Sequence, residues 1–75
     1  MREKIEKIFA EALPQIDITA SDALVDDGYL DSISLITLIS ELSMEFGVEF
    51  VMEDYLPENF NSIDAIVETV KRLQE

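Results

Sequence analysis

The sequence predicts an all-α fold: a small four-helix bundle with three main helices, a short third helix and a long loop between the first two. Three observations carry that prediction. Apolar residues recur at helical spacing in three separate segments, Ile5 to Leu13, Leu35 to Phe46 and Ile63 to Leu73. Those segments are bounded by helix start and stop residues: Pro14, Asp31, Gly47 and Ser62. The one stretch of alternation, Val48, Phe50 and Met52, has no second strand to pair with.

The first helix runs from Glu3 to Leu13. Ile5, Ile8, Phe9, Ala12 and Leu13 follow the i, i+3, i+4, i+7, i+8 pattern of one buried face, and Lys4, Lys7 and Glu11 occupy the other. Pro14 ends it, because the residue before a proline is pushed out of helical geometry.

Residues 14–31 form a long connection, pinned across the bundle by Ile16, Ile18, Leu24, Val25 and Leu30, with a short helical turn expected over Ser21 to Val25. A loop of that length in so small a chain is expected to be functional. It ends in Asp27-Gly28-Tyr29-Leu30-Asp31-Ser32-Ile33. Gly28 permits a sharp turn through positive φ, Asp31 occupies an N-cap position, and Ser32 becomes the first helical residue at the positive end of a helix dipole.

The second helix spans Ser32 to Phe46, with Leu35, Leu38, Ile39, Leu42 and Phe46 as its buried stripe and Gly47 as the residue that stops it. Ile33, Ile36, Ser40 and Met44 fall on a neighbouring face, so the helix is apolar over more of its circumference than a surface helix needs. Periodicity alone assigns Ile36 to the core and leaves Ile33 open. After an irregular stretch, a short helix is expected over Glu53 to Leu56, broken at Pro57. The last helix starts at Asn61 or Ser62. Its stripe is Ile63, Ile66, Val67, Val70 and Leu73, and Lys71 and Arg72 sit near its negative end.

Seventy-five residues form one domain, residues 1–75, that buries only about 60% of its unfolded surface. With no cysteine and no histidine, disulfides, ordinary zinc sites and Ser-His or Cys-His nucleophiles are excluded. Seventeen acidic residues face five basic ones, Arg2, Lys4, Lys7, Lys71 and Arg72. Such a surface repels phosphate backbones and acidic lipid and attracts basic protein surfaces. The N-terminus is charged, and no apolar run approaches the ~20 residues that cross a bilayer. The chain therefore reads as soluble, cytoplasmic and monomeric, binding neither nucleic acid nor membrane.

Little of this is catalytic. An EF-hand loop with Gly28 sixth would need oxygen ligands at Ala23 and Val25 and a bidentate glutamate at Ser34, and has none of them. Asp26, Asp27 and Asp31 read as a solvated acidic loop. Ser32 has no base to activate it, so the chain reads as a non-enzyme and Ser32 as a group on which other proteins act.

Gly28-Tyr29-Leu30-Asp31-Ser32-Ile33, followed by a Leu/Ile-rich helix, resembles the phosphopantetheine attachment site of acyl carrier proteins. The resemblance takes in the first helix, the long loop, Phe46-Gly47-Val48 and Asn61-Ser62-Ile63. It implies that a phosphopantetheinyl transferase, using coenzyme A and magnesium, places 4′-phosphopantetheine on Ser32. Asp31 would help to hold the transferase's metal ion. The imported thiol would carry acyl or aminoacyl groups, which accounts for a chain without cysteine. Ile33 and Ile36 would face partner enzymes, namely a loading ligase and a downstream transferase or synthase with basic docking surfaces. Glu41 and Glu45 would be acidic contacts, and Tyr55 would either line the same surface or cap the core.

Fatty-acid-synthesis carriers tend to have a more acidic second helix than one with Thr37, Ser40, Ser43 and Met44, and usually read Gly-Ala-Asp-Ser at the attachment site. The form here is more similar to D-alanyl carriers, or to stand-alone aminoacyl and peptidyl carriers, than to fatty-acid-synthesis carriers, and the cargo stays open among fatty acyl, D-alanyl, other aminoacyl and polyketide groups. The rival readings are an acidic all-α interaction module without a prosthetic group and, more remotely, a weak divalent-ion-binding domain.

Overall fold

The computed structural model describes residues 1–75 and contains four α-helices and no strand: α1 (Arg2–Ala12), α2 (Ser32–Phe46), α3 (Pro57–Phe60) and α4 (Ile63–Gln74). It is the four-helix bundle expected of three long amphipathic segments that can bury their stripes only against one another. Ile5, Ile8, Phe9 and Leu13 from α1 and its end meet Leu38, Ile39 and Leu42 from α2, Phe60 from α3, and Ile63, Ile66 and Val70 from α4. Lys4 meets Glu45 at 4.0 Å, the N-terminal turn of α1 lying beside the C-terminal turn of α2, so these two helices run antiparallel.

The helix ends follow local chemistry. Gly47 takes φ 63°, the left-handed conformation that closes α2. The Ser43 hydroxyl donates to the Val48 carbonyl at 2.6 Å, tying the chain that leaves α2 back onto it. Of the two candidate caps for α4, Ser62 is the one used: its hydroxyl accepts from the Ala65 N–H at 3.1 Å.

Three expectations are corrected. The short helix is Pro57–Phe60, not Glu53 to Leu56. Pro57 starts it instead of breaking it, because the first helical position needs no N–H and favours proline's fixed φ. The segment ahead of it holds a 3₁₀ turn, Met52–Asp54, stabilised by the Asp54 carboxylate accepting from the Val51 N–H at 3.0 Å. The turn in the long loop covers Leu24 to Gly28, not Ser21 to Val25: the Asp27 N–H reaches the Ala23 carbonyl at 2.7 Å and the Gly28 N–H reaches Val25 at 3.1 Å. Finally, Ile36 is 62% exposed, against the core place that periodicity alone assigns it and in keeping with the outward face that the resemblance implies. Leu38, Ile39 and Leu42, flanked by the partly buried Leu35 and Phe46, form the face of α2 that packs on the core, and Ile36 is turned away from it.

Candidate functional site

The loop into α2 is built from its ends inward. Leu24 and Leu30 are both buried in the core, and the Leu30 N–H donates to the Leu24 carbonyl at 2.8 Å. Between them the exposed residues Asp26, Asp27, Gly28 and Tyr29 form the turn, which Gly28 completes at φ 85°. A side chain there would meet no neighbour, so glycine is required by the backbone angle and not by space.

Asp31 follows in extended backbone (φ −82°, ψ 179°) and caps α2, its carboxylate accepting from the Ser34 N–H at 2.8 Å. The Leu35 N–H closes the first helical turn on the Asp31 carbonyl at 2.9 Å. The Ser34 N–H, and then the Ser34 hydroxyl, hold the Asp31 carboxyl below the ordinary aspartate range, because both bonds favour the charged form.

Ser32 is exposed at the first position of the helix. Its hydroxyl therefore lies where backbone N–H groups lack intrahelical partners and the dipole is positive. An exposed hydroxyl beside such donors fits a covalently bound phosphate ester.

The remaining candidates lie along α2 and beside it. Ile33 is 77% exposed and, with Ile36, Ser40 and Met44, forms an exposed strip along the helix. Tyr55 is partly exposed and lines a groove of about 320 Å³ together with Ile36, Ser40 and Met44 of the strip and with Ile39 and Phe50, which belong to the core or pack against it. Glu41 and Glu45 lie on the other flank of α2, where they border a groove with Lys4, Lys7 and Glu11 of α1. No group of three or more histidine, cysteine, aspartate or glutamate side chains converges to hold a metal ion.

One residue of this region was not singled out from the sequence except as a possible cap. The Asn61 amide oxygen accepts from Val25 N–H at 2.9 Å and Asp26 N–H at 3.1 Å, its amide nitrogen donates to the Asp26 carboxylate at 3.0 Å, and its carbonyl accepts from Leu24 N–H at 2.8 Å. An asparagine beside a better N-cap, Ser62, was the only available signal.

The comparisons with known proteins agree with this geometry. A family model described as the phosphopantetheine attachment site matches residues 3–70. An acyl carrier protein of Buchnera aphidicola subsp. Baizongia pistaciae is 34% identical over 74 residues, covering 96% of this chain and 92% of that protein. D-alanyl carrier proteins of Streptococcus uberis and Streptococcus pyogenes are 32% and 28% identical over 72 residues, covering 96% of this chain and 87% of each. No solved structure matches the chain significantly. The sequence family, the helical bundle and the capped, exposed serine converge: this chain belongs to the phosphopantetheine attachment-site family of carrier proteins, whose cofactor is covalently bound 4′-phosphopantetheine.

Proposed function

We propose that residues 1–75 form a single carrier domain whose Ser32 hydroxyl receives 4′-phosphopantetheine, and that the chain carries acyl or aminoacyl groups between enzymes without catalysing a reaction itself. The observation that carries this reading is the exposed hydroxyl at the first position of α2, directly after the Asp31 cap.

Attachment is the work of a separate transferase that brings coenzyme A and magnesium. The bond from Ser32 Oγ to phosphorus would form as the pyrophosphate bond of coenzyme A breaks; the hydroxyl proton would pass to solvent or to a base of the transferase, and the nucleotide half would depart with its phosphate. When bound, the group supplies the thiol that holds cargo as a thioester. The first turn of α2 favours a phosphate by about 0.3–1 kcal/mol through its free N–H groups and dipole. Asp31, held in its charged form, opposes that effect by like-charge repulsion and offers an oxygen ligand to the transferase's metal ion.

Ile33, Ile36 and Tyr55 supply apolar contact area for partners: the transferase, a loading ligase and a downstream transferase or synthase. Glu41 and Glu45 add acidic contacts on the α1 flank. Apolar anchors within a charged rim suit short-lived docking, and a net charge of −12 favours basic partner surfaces over nucleic acid. The cargo favoured is D-alanyl or another aminoacyl group over a fatty acyl chain. Thr37, Ser40, Ser43 and Met44 make α2 less acidic than in fatty-acid carriers, and two of the named relatives are D-alanyl carriers.

The test is intact mass before and after incubation with coenzyme A, magnesium and a broad-specificity phosphopantetheinyl transferase, with Ser32→Ala alongside. The expected result is a gain of one phosphopantetheine in the parent alone. No gain on a folded parent, or a gain in the alanine variant, would sink the assignment of Ser32.

A further inference from the structure

We infer that Asn61 is a positioning residue for Ser32, acting through the loop that delivers the hydroxyl; the inference rests on the reading of Ser32 as the attachment site. A connection running from Leu13 to Asp31 has many conformations to lose before it can present one residue in one place. Asn61, more than thirty residues away in sequence, removes that freedom. Its carbonyl, amide oxygen and amide nitrogen bond three successive loop residues, Leu24, Val25 and Asp26, through four hydrogen bonds. Leu24 in turn accepts from Leu30, and Leu30 is followed directly by the Asp31 cap and Ser32.

Asn61 is free for this task because Ser62 caps α4. Asparagine is also the side chain that fits. One end must accept from two N–H groups and the other must donate to a carboxylate, so aspartate would place a second carboxylate against Asp26. No other residue of the α3–α4 junction makes a side-chain hydrogen bond to the loop.

When this contact is lost, the loop samples undocked states, and only the docked fraction presents Ser32 to the transferase. A reduced competent fraction raises the apparent KM for the carrier in proportion and leaves kcat unchanged, because the bound transferase restores the geometry. A simple loss of bundle stability, measured well below the melting temperature, moves neither.

The experiment is steady-state phosphopantetheine transfer to the parent, N61D, the exchanged pair N61D/D26N, and I5V, a core truncation in α1 outside the contact. N61D is expected to raise KM about tenfold at unchanged kcat. The exchanged pair rebuilds the donor–acceptor pattern with the same net charge and is expected to return KM to the parent value. I5V is expected to lower Tm and leave KM alone. Should N61D not fold, N61A carries the same comparison without the added charge. The inference is overturned by a KM for the Asn61 variant within about twofold of the parent, by an equal rise in I5V, or by an exchanged pair no better than N61D. A parent that takes no phosphopantetheine overturns the Ser32 assignment instead, and that result is read before any variant.

Discussion

The Leu30 N–H donates to the Leu24 carbonyl at 2.8 Å, and both side chains lie in the same core cluster as Phe9, Leu38 and Phe60. The exposed turn between them is thus closed at its base by one hydrogen bond and two buried leucines. Leu30→Ala should cost about 2–5 kcal/mol, as other leucine truncations in packed cores do. The loss is read from the urea midpoint. A change below about 1 kcal/mol would mean that the loop is not part of the core.

Asp31 makes the acid stability of the fold depend on its cap. Its folded-state carboxyl is depressed by the Ser34 N–H and hydroxyl, so in acid the unfolded chain binds the proton more readily than the folded one, and stability rises with pH. The contribution is complete above the unfolded value of about 3.9 and is lost as pH falls through the depressed folded value. Asp31→Asn keeps an oxygen acceptor for the Ser34 N–H at every pH. The Tm advantage of the parent over this variant should therefore vanish on acidification, measured between about pH 2 and pH 6. A constant difference would remove the charged cap from the account.

Ile36 separates docking from folding. Being 62% exposed, it should be replaceable by glutamine, a good helix former, with a stability change within about 0.5 kcal/mol. The same change should lower kcat/KM for phosphopantetheine transfer by removing an apolar contact. Unchanged transfer kinetics would take Ile36 out of the partner surface.

The three long helices were legible because each must hide a stripe of five or so apolar residues and each stripe repeats at helical spacing. Asp31, Gly28 and Gly47 were legible for a different reason: cap and turn chemistry depends on the residue itself and its nearest neighbours. Periodicity alone misplaced Ile36, because it reports which residues share a face and not how many faces the core can cover; the family resemblance was what turned it outward. Pro57 was misread because proline both stops one helix and starts the next, and only the chain's path distinguishes the two. Asn61 was out of reach for a third reason. Its partners lie at Leu24 to Asp26, and a hydrogen bond across that separation leaves no local pattern.

α3 has four residues, too few to sustain a helix alone. Only Phe60 among them is buried, stacked at a tilt against Phe50 with ring centres 6.0 Å apart, and the Thr69 hydroxyl of α4 reaches the Asn59 carbonyl at 3.3 Å. Arg72 of α4 also donates to the Asn59 side chain at 3.4 Å, so α3 is a tile held to α4 by two polar contacts and to the core by one buried ring. The other helices keep eleven or more residues of hydrogen-bonded ladder, so α3 is the one that depends most on such side-chain contacts for its shape. Displacing α3 would draw Phe60 out of the core that α1, α2 and α4 share, so the smallest helix is anchored by the same cluster that joins the three long ones.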